Sequence, residues 1–247
     1  MQALWWGLLA ALAVAPARAQ SAAPPLGPGV DAIVARYLAA RGGEARIRAV
    51  RSERLIGLMT FADGASGSDT VELARPLRIR TTIHVAGRAV VQGYDGDTAW
   101  TVDPFQGDTA PHPLDSATAR NVIAGADMDG PLVDVAAKGE RITLAGVDTA
   151  DGRPAWALRV RWPGGTTDTW FVDTTTFLIT KWQGSRTIHG SPLTFDTWFR
   201  DYRRMDGLMF SFLMESDTRG RPGSQRVVFD TVQVDPPIGA GRFRMPE

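Results

Sequence analysis

In three stretches of this 247-residue chain the apolar side chains recur at every second position. Leu77, Ile79, Thr81, Ile83 and Val85 alternate with Arg78, Arg80, Thr82 and His84. Trp156, Leu158, Val160 and Trp162 alternate with Ala157, Arg159 and Arg161. Leu193, Phe195, Thr197 and Phe199 alternate with Thr194, Asp196, Trp198 and Arg200. Successive side chains of a strand point to opposite faces, so a period of two makes half-buried antiparallel strands, dry on one face and wet on the other. Turn signals punctuate them at Ala86-Gly87, Asp95-Gly96-Asp97, Asp151-Gly152, Gly164-Gly165, His189-Gly190 and Asp206-Gly207. Aspartate-glycine pairs accept the positive backbone angles of tight hairpins. The pattern predicts about ten strands joined as successive hairpins into one meandering antiparallel sheet.

Helical periodicity is confined to two regions. Val30, Ile33, Val34, Tyr37 and Leu38 form one apolar stripe, stopped by Arg41-Gly42-Gly43, and Ile47 and Val50 repeat it over Glu44 to Val50. Between Asp115 and Lys138, alanine-rich, helix-compatible stretches flank Asp129-Gly130-Pro131. A sheet with one apolar face must be covered by another sheet, by closure on itself or by helices. These helices are few for so much sheet. A curled sheet with helices over its open side would enclose an apolar hollow, and the eight tryptophans are suited to lining one. A filled sandwich or barrel core is the other solution the periodicity allows.

The apolar run Leu4 to Val14 is shorter than the ~20 residues a spanning helix needs. Ala17-Arg18-Ala19 follows, with small residues where a signal peptidase reads. A buried or anchoring helix is the alternative. The expectation is a signal peptide over 1–19, cleaved after Ala19, a Pro/Gly-rich linker over 20–29 and a single domain over 30–247, exported and soluble.

Basic and acidic residues balance at 27 each, which argues against gripping a phosphate backbone. The chain has no cysteine, so thiolate zinc sites, thiol nucleophiles and disulfides are excluded. His84, His112 and His189 are scattered and none begins a metal-binding helix motif. Asp127-Met128-Asp129-Gly130 and Asp95-Gly96-Asp97 lack the further oxygen ligands of a calcium loop, and turn chemistry accounts for them. Ser185, Ser191 and Ser211 have no nucleophile-elbow setting, and no glycine cluster forms a phosphate loop. The basic-aromatic stretch Phe199 to Arg204 is offset by Asp201 and Asp206 and reads as strand surface. Nothing here points to an enzyme, a metal, a cofactor or a nucleic-acid partner.

Ala74-Arg75-Pro76-Leu77-Arg78-Ile79-Arg80 resembles the Arg-Pro strand start of the periplasmic outer-membrane lipoprotein carriers, the LolA family. Tyr94-Asp95-Gly96-Asp97 through Asp103-Pro104-Phe105 resembles that family's next hairpin, and Gly241 to Pro246 is similar to its closing Phe-x-x-Pro strand. Tyr37 to Gly43 and Asp201 to Phe210 look like a divergent, lipoprotein-sorting-like branch, to which the long region after Phe105 is specific. The resemblance implies a mainly β fold: an incomplete antiparallel barrel whose mouth is covered by helices and whose apolar cavity holds lipoprotein acyl chains. It implies a periplasmic, non-enzymatic carrier of lipoproteins or other lipids, working between inner- and outer-membrane donor and acceptor proteins. A sensor or scaffold domain binding a protein partner is the alternative use of the same fold. The resemblance makes Arg75 the residue that tethers the lid. Strand alternation selects Leu77, Ile79, Ile83, Trp100, Trp156, Leu158, Val160, Trp182, Phe195 and Phe199 as the face turned toward the cargo.

Overall fold

The computed structural model describes residues 28–188, 191–221 and 223–247. The expected signal peptide with its cleavage point, most of the linker and the His189-Gly190 turn lie outside the described residues. Two helices, α1 (Val30–Arg41) and α2 (Glu44–Ala49), precede six strands: β1 (Ser52–Thr60), β2 (Ser66–Ala74), β3 (Arg78–Val85), β4 (Arg88–Tyr94), β5 (Ala99–Asp103) and β6 (Asp108–Pro113). Helix α3 (Ser116–Gly125) then leads to β7 (Arg141–Ala150), β8 (Arg153–Arg161), β9 (Thr167–Asp173) and β10 (Ile179–Ile188). The chain closes with β11 (Ser191–Met205), β12 (Leu208–Thr218), β13 (Ser224–Val234) and a short 3-10 helix, Ala240–Phe243.

All thirteen strands form one antiparallel sheet in the order β6-β5-β4-β3-β2-β1-β13-β12-β11-β10-β9-β8-β7. The fold is mainly β: an open, curled half-barrel with few helices. More strands are present than the alternation alone predicts, because β1, β2 and β13 are interrupted by Gly57, a bulge and charged residues that blur the period. Among the described residues the hairpins form where the turn signals stand. Ala86-Gly87, Asp151-Gly152 and Asp206-Gly207 each carry two consecutive positive φ values, the twist-matched geometry of a two-residue hairpin.

The topology decides where the segment between β6 and β7 lies. The chain starts in the middle of the sheet at β1, pairs outward to the edge strand β6, and resumes at the opposite edge, β7, before pairing back to β13 beside β1. The segment between β6 and β7 must therefore cross from one edge to the other, and α3 lies in it. Helix α3 contacts β3, β4 and β5 on one limb and β10 on the other. Asp115 caps it, accepting from the amides of Ala117 (2.8 Å) and Thr118 (3.1 Å). The second half of the expected insertion is not helical. Residues 132–139 run as turns, with Asp134 and Gly139 at positive φ.

Helix α1 buries Ile33 and Tyr37 against Leu158, Val160, Val172 and Ile179 of the β8–β10 limb. It stops at Gly42, whose φ of 130° and contact with the β11–β12 turn exclude a side chain: a Cβ there would meet the Gly207 carbonyl at 2.5 Å. Ile47 and Val50 close the other core, with Leu73, Ile79, Phe210, Phe229 and Val232 beneath them.

Candidate functional site

Arg75 stands at the turn between β2 and β3, where α2 and the chain leaving α3 meet. Its Nε donates to the Val50 carbonyl (2.6 Å) and Nη2 to the Ile47 carbonyl (3.1 Å), at the end of α2. The same guanidinium forks onto the Asp129 carboxylate at 2.8 and 2.6 Å. Arg41, the last residue of α1, donates to the Met128 carbonyl (3.0 Å), the Asp129 carbonyl and the Tyr37 hydroxyl. Lys138 adds bonds to Asp127 and to the Gly130 carbonyl. Both N-terminal helices and the crossing segment are thus knotted around one rim.

The knot is electrostatically tuned. Burial by itself would raise the Asp129 carboxyl, but the Arg75 hydrogen bonds and the charges of Arg75, Lys138 and Arg41 hold it below the usual carboxylate range. The Asp129 bonds correspondingly raise Arg75. Glu53, on β1 behind the knot, is pushed up to about 7 by burial, against the pull of Arg41 and Arg75. Sequence reading missed Asp129 and Glu53. Asp129 looks like turn chemistry, and no local signal marks Glu53, whose setting is assembled from distant segments.

Beside the knot opens a cleft of about 760 Å³, bounded by the Arg75–Leu77 turn, α3, the 126–140 segment, the Trp162–Thr166 turn and Ser185–Thr187 of β10. Helix α3 forms one wall: none of its residues is fully buried, and Asn121 Nδ2 donates to the Thr187 carbonyl at 2.6 Å. At the β10 side Asp168 accepts from Arg186 (3.2 and 2.9 Å) and from Trp162 Nε1 (2.9 Å). The Arg186 guanidinium lies 4.5 Å from the Trp182 ring.

From there an aromatic tier runs along the helix-facing side of the sheet. Trp182 lies 6.1 Å from Trp170 and 6.5 Å from Phe195, and Trp170 lies 6.2 Å from Phe199. Trp182, Phe195 and Phe199 of the expected set therefore come together. Trp156, Leu158 and Val160 share this face, but Leu158 and Val160 are fully covered by α1 and Leu132 and form solid core. Ile79 is buried beneath α3 and Ile83 is half-buried farther along β3. Leu77 is in the turn rather than a strand, 40% exposed, and lines the cleft.

Trp100 is a correction. Paired residues share a face, and Trp100 pairs with Gly93, which pairs with Arg80, whereas Ile79 pairs with Tyr94. Trp100 is therefore on the face away from the helices. It is 0% exposed because the C-terminal segment covers it, and its Nε1 donates to the Phe243 carbonyl (2.9 Å). Its ring lies over Gly93, where a Cβ would meet it at 2.6 Å. The basic-aromatic stretch in β11 is also occupied: Arg200 pairs with Asp151 and Glu215, and Arg203 with Asp201. Among the described residues no three His, Asp or Glu side chains are placed to hold a metal ion.

No family model and no curated protein matches the sequence. Solved structures do. The chain is similar to a DUF1329 family protein from Desulfovibrio piger, with a TM-score of 0.59 and 12% identity over 87% of this chain and 97% of that one. A domain from Vibrio parahaemolyticus described as an outer membrane lipoprotein-sorting protein gives 0.58 at 10% identity, covering 87% and 95%. A LolA superfamily protein from Nitrosomonas europaea gives 0.55 at 11% identity, covering 88% and 98%. At such identities the similarity is one of fold. The open half-barrel with helices across its mouth is the LolA-like fold.

Proposed function

We propose that this protein is an exported, non-enzymatic carrier, which takes acyl chains of lipoproteins or other lipids against the helix-covered face of the half-barrel for transfer toward the outer membrane. The observation that carries this reading is the clasp at the rim: one arginine, Arg75, joins the end of α2 to the segment leaving α3 beside a wide, partly apolar cleft. Each buried CH₂ holds an alkyl chain by about 0.8 kcal/mol, so a transfer protein needs a cover that opens. A clasp of a few hydrogen bonds, partly open to water, supplies a closure that a membrane or partner can undo. The fold shared with lipoprotein-sorting and LolA superfamily structures supports the same class. Export to the periplasm rests on the N-terminal segment, and mass spectrometry of the mature protein should find Gln20 as its first residue.

Native mass spectrometry of protein purified from its own envelope tests the reading. Bound acyl species, lost on organic extraction, are the expected result. A stoichiometric protein partner with no acyl species would refute the carrier and establish the sensor or scaffold instead.

A further inference from the structure

The described tryptophans differ in whether the indole N–H is met. Trp100, away from the helices, donates its indole N–H to the Phe243 carbonyl, and Trp162 at the cleft rim donates to Asp168. Trp156, Trp170 and Trp182 lie on the helix-facing side, and their Nε1 atoms are buried with no acceptor among the described residues. The register sets Leu158, Trp170, Trp182 and Thr197 in one row across β8 to β11, so two of these donors are neighbours. Trp182 is only 9% exposed. A buried indole N–H ordinarily finds a partner, and it can only donate. These groups are therefore the unmet half of hydrogen bonds.

The missing partner is an acceptor, and its charge is constrained. The nearest cation, Arg186, is already committed to Asp168 through two hydrogen bonds, and it also covers the Trp182 ring. The tier offers neutral donors without a free counter-charge, which suits a neutral carbonyl better than a carboxylate. Arg186, which packs on the Trp182 ring, lines the cleft, so one side chain separates the row from the opening. We propose that Trp170 and Trp182 seat carbonyl oxygens of an acyl ester, and that the cargo is recognised by its ester linkage as well as its chains. This rests on the carrier reading and deepens it: plain hydrocarbon would leave every donor unmet.

The test compares 1,2-dioctanoylglycerol with its dioctyl ether analogue, which has equal chains and no carbonyls, by displacement of a fluorescent fatty-acyl probe. The ester should bind roughly tenfold tighter, the worth of one or two neutral hydrogen bonds. Trp170→Phe and Trp182→Phe should each weaken the ester more than the ether and so narrow the ratio between them. On the unaltered protein, the ¹⁵N-edited indole resonances of Trp170 and Trp182 should move with the ester and that of Trp100 should not. Equal binding of ester and ether, or indole resonances indifferent to the ester, overturns the inference while the carrier stands. Failure of both lipids to bind overturns the carrier and the inference together.

Discussion

Arg75 and Asp129 show how much one residue pair can hold. The Asp129 side chain is 9% exposed and that of Arg75 32%, so the carboxylate is buried while the guanidinium is partly open to water. Removing one member of a buried pair leaves the other charge stranded, at a cost of about 3–5 kcal/mol when both are fully buried. Arg75→Ala should cost roughly 2–3 kcal/mol, less than that range because water reaches the guanidinium. Arg75→Lys should recover only part of this, since an ammonium cannot span two backbone carbonyls and both carboxylate oxygens. Urea unfolding measures all three proteins. Equal stability of Arg75→Ala and the parent would show that the clasp holds nothing. Trp100 marks the limit of reading residues singly: its strand and its burial were legible, but its face depended on the hairpin register and on a C-terminal segment 143 positions away.

At the scale of elements, α3 is the weakly held piece. It has no fully buried residue, and it is held to the sheet by half-buried contacts such as Val122 on the core and by the Asn121 bond to β10. Segments with little buried apolar area open locally at less than the global unfolding cost. Amides of α3 should therefore exchange with deuterium at least tenfold faster than those in the middle of β1 and β13. Asp115→Ala should speed α3 exchange about fivefold, the effect of losing ~1 kcal/mol of cap, and leave the sheet amides unchanged. Protection of α3 equal to that of β13 would make the rim rigid and the lid idea untenable. Strands and hairpin turns were legible at this scale because alternation and Asp-Gly pairs are local signals. The 132–139 stretch was not, because helix-compatible composition cannot reveal that Asp127, Gly130 and Lys138 bind one another in a turn.

For the whole molecule, three carboxyls raised by burial make one contribution to the response to pH. Burial pushes Glu53 and Glu140 up to about 7 and Asp69 up to about 6. Asp69 lies on the helix-facing side between Gly57 and Ile83, with one carboxyl oxygen unpartnered. A raised carboxyl keeps its proton in the folded state while the unfolded chain has lost it. Stability from these groups is thus complete below their ordinary range and falls as pH rises toward 7. Glu53→Gln carries no such proton, so its stability relative to the parent should rise between pH 5 and pH 8, by on the order of 2–3 kcal/mol. Urea unfolding at four pH values measures this. Parallel curves for the two proteins would mean that Glu53 is ionised throughout.

The sequence by itself determined a mainly antiparallel sheet, its turn chemistry and the stripe of α1. Each is written in neighbours a few positions apart, where backbone sterics and the alternation of side chains act. Only the tertiary structure decided which strand ends share a rim, which face Trp100 takes, that Asp129 answers Arg75 and that Leu158 and Val160 are core. Those outcomes depend on pairing β1 with β13 and on carrying α3 from edge to edge, and the free energy that selects them is burial summed over contacts between distant parts of the chain.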